Sequence, residues 1–199
     1  MAAGAKGRRT EAAFHAAARE VFARDGYLNA KIADIADVAG RSAASFYNYY
    51  DNKQRLLEAL LDRFTDDVLS RTGEQVTRDL EQDIEAAVRV YFETYREYVP
   101  EMIGAFQLSM TDPQFAAWWS TRRMEGINGV LAVVRSVERK GIDVGLDRNV
   151  FASAIVSMME SFCWTWYASA GELKLARPDD DEAIRTVSEI FRRALYPRD

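Results

Sequence analysis

What this 199-residue chain is short of narrows its chemistry before any motif is read. A single cysteine, Cys163, excludes an internal disulfide, and the apolar stretch around it makes it a small packed hydrophobe. The single histidine, His15, sits on the edge of the first helical pattern with no local partner to make it a ligand or base, so ordinary packing or exposure is expected. HExxH, P-loop, Gly-rich dinucleotide and nucleophile-elbow motifs are missing, so neither a catalytic residue nor a metal or cofactor is expected, and the chain does not read as an enzyme. Glu93 and Glu97, paired on one helical face, read as a solvated face. No run of about eighteen apolar residues is present, which argues against a membrane span. The first ten residues, Met-Ala-Ala-Gly-Ala-Lys-Gly-Arg-Arg-Thr, lack the apolar centre of a secretory signal, which points to the cytoplasm.

What is present is a 48% apolar fraction, enough for a sizeable core in one or two compact domains. The net charge of −5 is unevenly spread. Residues 1–55 hold nine Lys and Arg against six Asp and Glu, while the remainder holds seventeen against twenty-five. Local potential decides where phosphate docks, so a basic head on an acidic body is compatible with nucleic acid despite the overall sign.

The basic end contains the most informative stretch, Lys31 to Tyr50. Ile32, Ile35, Ala36 and Ala39 recur as one buried helical face, Gly40 stops that helix, and Ser42 is a natural N-cap for a second. Phe46 and Tyr50, four apart, face back onto the first helix. Two helices of about eight residues bury no core alone, so they must rest on neighbours and leave one helix outward, the arrangement of a helix-turn-helix. Arg41, Ser42, Ala43, Ala44, Ser45, Tyr47, Asn48 and Tyr49 combine small side chains with donors and acceptors that reach base edges or phosphates, and the helix carries no Glu or Lys.

Gly26-Tyr27, Ile32, Asp34-Ile35-Ala36, Ala39-Gly40, Ser42, Phe46-Tyr47, Tyr50, Lys53 and Leu56-Leu57 together resemble the DNA-binding signature of TetR-type one-component repressors. The resemblance covers about the first third of the chain. It implies a three-helix DNA-binding domain over 1–51, a larger helical ligand-binding and dimerisation domain over 52–199, and an all-α fold. It adds Lys31 to the DNA-facing set and gives Lys53, with the nearby helix N-terminus, a phosphate to hold. The family usually has paired Thr where Ala30 and Lys31 stand, an apolar residue at Arg41 and often Gly at Ala44, so the operator sequence stays out of reach.

The remaining pattern is helical throughout. Lys6, Arg8 and Arg9 form a basic arm, either DNA-docking or merely solvated, ahead of a helix that Thr10 caps and that ends at Gly26. Asp51 or Asn52 caps a helix carrying Leu56, Leu57, Leu60, Leu61, Phe64 and Val68, which continues from head to body and so is the expected lever. A break is expected over 70–77 around Gly73, then a helix to Val99 ended by Pro100, another over 102–110, and a long one from Pro113 to Lys140. The helix from Val150 to Ala170 is apolar on two faces: Phe151, Ile155, Met158 and Phe162, and Val156, Met159 and Cys163. After a loop at 173–180, residues 181–196 offer Ile184, Val187, Ile190, Phe191 and Leu195 as an adhesive surface. In the resembled family the last two long helices form a homodimer interface. A dimer reads two half-sites, so an inverted-repeat double-stranded operator is expected.

Trp118, Trp119, Trp164, Trp166, Met102, Met124 and Met159 either fill a bundle or line a cavity; the resemblance favours a ligand chamber. A second similarity runs through Tyr91-Phe92-Glu93-Thr94-Tyr95, Asp112-Pro113, Trp118-Trp119, the Ile127 helix, Val137-Glu138-Arg139 and Met158-Met159-Glu160. It points to the ethionamide-monooxygenase repressor subgroup and to an elongated hydrophobic effector. Tyr91, Tyr95, Met102, Phe106, Trp118, Trp119, Met124, Met159 and Trp164 are the expected walls, with Gln107, Asn128 and Glu160 orienting the ligand. Glu160 must find a partner or shift its pKa, so a structural ion pair is the competing reading. The expectation is a ligand-released repressor; a regulator without an effector, or an activator, is the alternative.

Overall fold

The computed structural model describes residues 4–77, 79–169, 171–172 and 174–196, and every regular element among them is helical. The elements are α1 (Ala5–Asp25), α2 (Ile32–Val38), α3 (Ala43–Phe46), α4 (Lys53–Glu74), α5 (Leu80–Glu97), α6 (Val99–Thr111), α7 (Pro113–Glu138), α8 (Arg148–Cys163), a π-helical turn (Trp164–Ala168) and α9 (Asp180–Leu195). They form two compact units, one of residues 1–64 with 98–116 and the other of 65–97 with 117–199.

The first unit packs α1, α2, α3, the start of α4, and α6 around Phe14, Val21, Ile35, Phe46, Leu56, Leu57, Leu60 and Leu61, all at most 1% exposed. Full burial of such side chains contributes roughly 1.5–3 kcal/mol each. Helix α6 packs on α1. Its Gly104 has no Cβ because one would sit 3.1 Å from the Tyr27 ring base and 3.2 Å from Leu57. Arg19 on α1 stands 3.0 Å from the fully buried Glu101 on α6 and lies over the Tyr98 ring. Burial pushes the Glu101 carboxyl pKa up, against the pull of Arg19.

The second unit is cored by Ile84, Val134, Val137, Phe151, Ala152, Ile155, Val156, Phe191 and Leu195. Helix α9 packs on α5, and its edges carry Arg89–Asp181 at 2.6 Å, an Arg96–Asp180 pair, and the Tyr167 hydroxyl donating to Asp180 at 2.9 Å.

Several expected boundaries move. Helix α1 starts at Ala5, so Lys6, Arg8 and Arg9 are helical rather than an arm, and Thr10 donates to the Lys6 carbonyl instead of capping. Gly73 lies inside α4, and the break falls just after it. Pro100 occupies the first turn of α6, where a missing N–H costs nothing, rather than ending α5. The helix expected through Ala170 is α-helical only to Cys163, then widens to π, with Ser169 N–H donating to the Trp164 carbonyl at 2.9 Å. The adhesive surface on α9 is also corrected: Ile184, Val187, Phe191 and Leu195 are buried within their own unit, and only Ile190 is exposed. On α8, residues of both apolar faces are likewise buried, Phe151 and Ile155 from one, Val156 and Cys163 from the other.

Candidate DNA-reading head and ligand-facing body

The turn between α2 and α3 is built by backbone chemistry. Gly40 takes φ +62°, the left-handed region that glycine adopts without strain. Its N–H donates to the Asp37 carbonyl and the Arg41 N–H to the Ala36 carbonyl, which satisfies the end of α2 as a Schellman motif. Ser42 then caps α3, its Oγ accepting from Ser45 N–H at 3.1 Å. After one α-turn the segment continues as turns, with Tyr49 and Tyr50 N–H both donating to the Phe46 carbonyl.

Phe46 is wholly buried and orients the segment, its ring 5.5 Å edge-on from Phe14 and 5.7 Å from Tyr50. Arg41, Ser42, Ala43, Ala44, Tyr47 and Asn48 are exposed, Ser45 and Tyr49 half-exposed, and Lys31 is exposed at the start of α2. A turn this short holds its outward side chains on one surface, free to meet base edges and phosphates.

Lys53 stands differently. Its ammonium donates to the carbonyls of Tyr27 at 2.5 Å, Leu28 at 3.2 Å and Ala30 at 2.7 Å, and lies over the Tyr27 ring at 4.5 Å. All three N–H donors meet the turn between α1 and α2, and burial lowers the lysine pKa. The geometry makes Lys53 a clamp on that turn; the phosphate role implied by resemblance requires it to leave three carbonyls. Asn52, rather than Asp51, caps α4, accepting from Arg55 N–H at 2.9 Å.

His15 was expected to be ordinary packing or exposure; it is a buried polar hub, hydrogen-bonded at both ring nitrogens to Arg63 and Tyr50. Nothing local signals this, because the partners lie 35 and 48 residues away. Burial first, then the positive charge of Arg63, lowers its pKa to about 4, with Glu11 pulling the other way.

The expected ligand residues fall in both units. Met102, Phe106 and Gln107 lie on α6 in the first: Met102 is buried, Phe106 exposed, and Gln107 Oε1 is buried without a donor among the described residues. In the second, Tyr95 is buried; Tyr91, Trp118, Trp119, Met159, Glu160 and Trp164 are half-buried; Met124 and Asn128 are exposed.

Within the second unit, the Tyr91 and Tyr95 rings meet at a tilt with centroids 6.1 Å apart, and Tyr95 lies 6.4 Å from Tyr167. Phe92 meets Phe162 at 5.6 Å, and Phe162 meets Trp166 at 6.2 Å. Phe162 and Trp166 thus join the aromatic wall around the π-helical turn together with Tyr167, which the sequence did not single out. Glu160 finds its partner: Arg123 Nε and Nη2 donate to it at 2.6–2.9 Å, and Arg123 also reaches Ser157 at 3.2 Å. Arg123 was missed because it lies 37 residues away on α7. Burial, then the Glu160 charge, pushes the Tyr91 pKa well up. A cleft of about 520 Å³, lined by Arg89, Arg96, Tyr167 and Asp179–Asp181 among others, borders this wall through Phe92 and Tyr167 but is lined by no residue of the expected ligand set.

A capped, outward short helix resting on a buried aromatic cluster defines a helix-turn-helix DNA-binding head. Residues 15–60 match the family model described as bacterial regulatory proteins, tetR family. The HTH-type transcriptional regulator EthR of Mycolicibacterium smegmatis is 22% identical over 134 residues, covering 66% of this chain and 62% of that protein. The HTH-type transcriptional activator FasR of the same organism is 38% identical over 108 residues, 51% of this chain and 48% of that one. The chain thus spans less than two thirds of the length of these curated relatives. The solved structure of the fatty acid degradation regulator FadR from Bacillus halodurans superposes with a TM-score of 0.77, covering 98% of this chain and 97% of that one at 20% identity, a likeness of fold. Over residues 15–60 this chain thus resembles the TetR family of bacterial regulatory proteins, and over nearly its whole length it shares the fold of the FadR structure. Among the described residues, no helix is long and apolar enough to cross a membrane.

Proposed function

We propose that the chain is a cytoplasmic, homodimeric repressor that binds an inverted-repeat operator and is released by a small, elongated hydrophobic effector. The observation that carries the reading is the Ser42-capped α3, which leaves Arg41, Ala43, Ala44, Tyr47 and Asn48 exposed on a buried Phe46 anchor. Residues 1–51 carry the recognition surface, within a compact unit that residues 52–64 and 98–116 complete, and the rest of 52–199 serves effector binding and dimerisation. Lys31 and the outward α3 residues meet the DNA, each half-site taking one short helix roughly 34–36 Å from its twin.

The homodimer forms through α8 and α9, on the surface their own core leaves outward: Val150, Ala154 and Ser157 on α8, Arg185 and Ile190 on α9. The half-buried aromatic wall of Tyr91, Phe162, Trp164 and Trp166 supports an apolar effector, with Arg123 and Glu160 as its polar end. An effector that favours one head spacing over another lowers DNA affinity by its differential affinity for the two states.

Fluorescence anisotropy on DNA from the chain's own upstream region, against an unrelated fragment of equal length and across a salt series, tests this. Saturable, selective binding at two chains per site, lost on adding effector, is the expected result. Equal weak binding to both fragments and to any selected DNA would remove the reading. Selective binding that raises transcription would transfer the chain to the alternative role of activator, a role named for FasR.

A further inference from the structure

Four side chains from three segments of the head form one directed array. Arg63 Nη1 on α4 lies 2.8 Å from His15 Nδ1 on α1. A guanidinium only donates, so Nδ1 accepts and the neutral ring carries its proton on Nε2. Nε2–H then donates to the Tyr50 hydroxyl at 2.7 Å, leaving that hydroxyl to donate to Glu11 at 3.4 Å. His15 and Tyr50 are each 7% exposed, so water does not replace a lost partner cheaply.

Tyr50 closes the recognition segment. Its backbone N–H donates to the Phe46 carbonyl, and its ring packs 5.7 Å from Phe46. Holding the Tyr50 hydroxyl therefore fixes the far end of residues 43–49 against α1 and α4 at once. Apolar side chains in this place would bury area without choosing one orientation. A fully partnered directional array chooses one.

We propose that His15, hydrogen-bonded between Arg63 and Tyr50, is a positioning residue that sets the orientation in which the α3 segment meets DNA. The proposal rests on the DNA-binding reading above. The groups facing the imidazole are Glu11 on its own helix, Arg63 from α4 and Tyr50 from the segment after α3; burial and Arg63 keep it neutral at ordinary pH.

The test uses the full chain and a duplex of roughly 30 base pairs, long enough for two half-sites, that the parent protein selects from a random library. His15→Leu and Tyr50→Phe should each weaken binding by roughly tenfold, the size of one buried hydrogen bond with an orphaned partner. The double variant should be no weaker than the worse single one, because both break the same link. His15→Gln should recover most of the affinity, since one amide both accepts from Arg63 and donates to Tyr50. Arg63→Gln keeps a donor but removes the charge, so its His15 should protonate at a higher pH than the parent's, and its DNA affinity should begin to fall earlier on acidification than the parent's does.

His15→Leu that is fully helical at the assay temperature and binds with parental affinity overturns the proposal. Where that variant fails to fold, Tyr50→Phe, which removes a single oxygen, decides by the same criterion. A parent that selects no DNA would instead overturn the DNA-binding reading, and this proposal with it.

Discussion

The head and the body use their polar groups in opposite ways. In the head, His15 and Glu101 are buried and Lys53 is half-buried, and each is held by a partner more than twenty residues away: an arginine with a tyrosine, Arg19, and three carbonyls. In the body, most charged groups are paired at the rim, as in Arg71–Glu97, Arg89–Asp181 and Arg192–Glu189, where water competes for both partners. The difference teaches what each part must do. A short reading helix serves only in one orientation, which directional buried bonds specify, whereas a helical body needs mainly packing, with solvated pairs at its edges.

The largest effect should come from removing the aromatic anchor on which that orientation rests. Phe46→Ala should cost about 3–5 kcal/mol by urea denaturation, since the ring is wholly buried and its cavity is enclosed by Phe14 and Tyr50. Phe162→Ala in the body removes a half-buried ring and should cost about half as much or less. Equal costs would break the contrast between the two regions.

Acid should expose the head next. The His15 pKa is lowered from 6.5 to about 4, so the unfolded chain takes up this proton before the folded one does. The resulting stability is complete above about pH 6.5 and is lost as pH falls toward about 4, a loss of about 2–3 kcal/mol. His15→Gln should lack that part of the acid slope in thermal melts at stepped pH. An unchanged slope would mean that other groups carry it.

Lys53 separates two roles for one side chain. As a clamp, Lys53→Met should lower stability by about 2 kcal/mol, because three carbonyls lose a charged donor, while the salt dependence of the remaining DNA binding stays as steep as the parent's. As a phosphate contact, it should instead shallow that slope by about one phosphate with little loss of stability. The second outcome would show that the lysine leaves its carbonyls when DNA arrives.

What the sequence disclosed followed from interactions of short reach. Gly40, the Ser42 cap and the buried faces of α2 and α3 were legible because each depends on residues within about five positions. The helical body and its order were legible from periodicity. The roles of His15, Arg123 and Lys53 were not, because their partners lie 23 to 48 residues distant and no pattern records such a meeting. Periodicity also marked Ile184, Val187, Phe191 and Leu195 as an apolar stripe without saying whether their own core or a second chain covers it; their own core does. The π turn was invisible for a related reason: Trp164–Ala168 carries ordinary helix-compatible residues, and the widening is seen only once the chain is folded.

The smallest effect completes the comparison from the side of the body. Asp181 is largely exposed although it meets Arg89 at 2.6 Å, and Arg89 also has Glu85 one turn away on its own helix. Water and Glu85 therefore take up most of what Asp181→Ala removes, and the unfolding midpoint should not move measurably. A clear drop would mean that the Arg89 and Arg96 edge between α5 and α9 acts as a coupled network rather than as separate solvated pairs. In that case the body too would rely on specified polar geometry, and the distinction between the regions would reduce to one of burial.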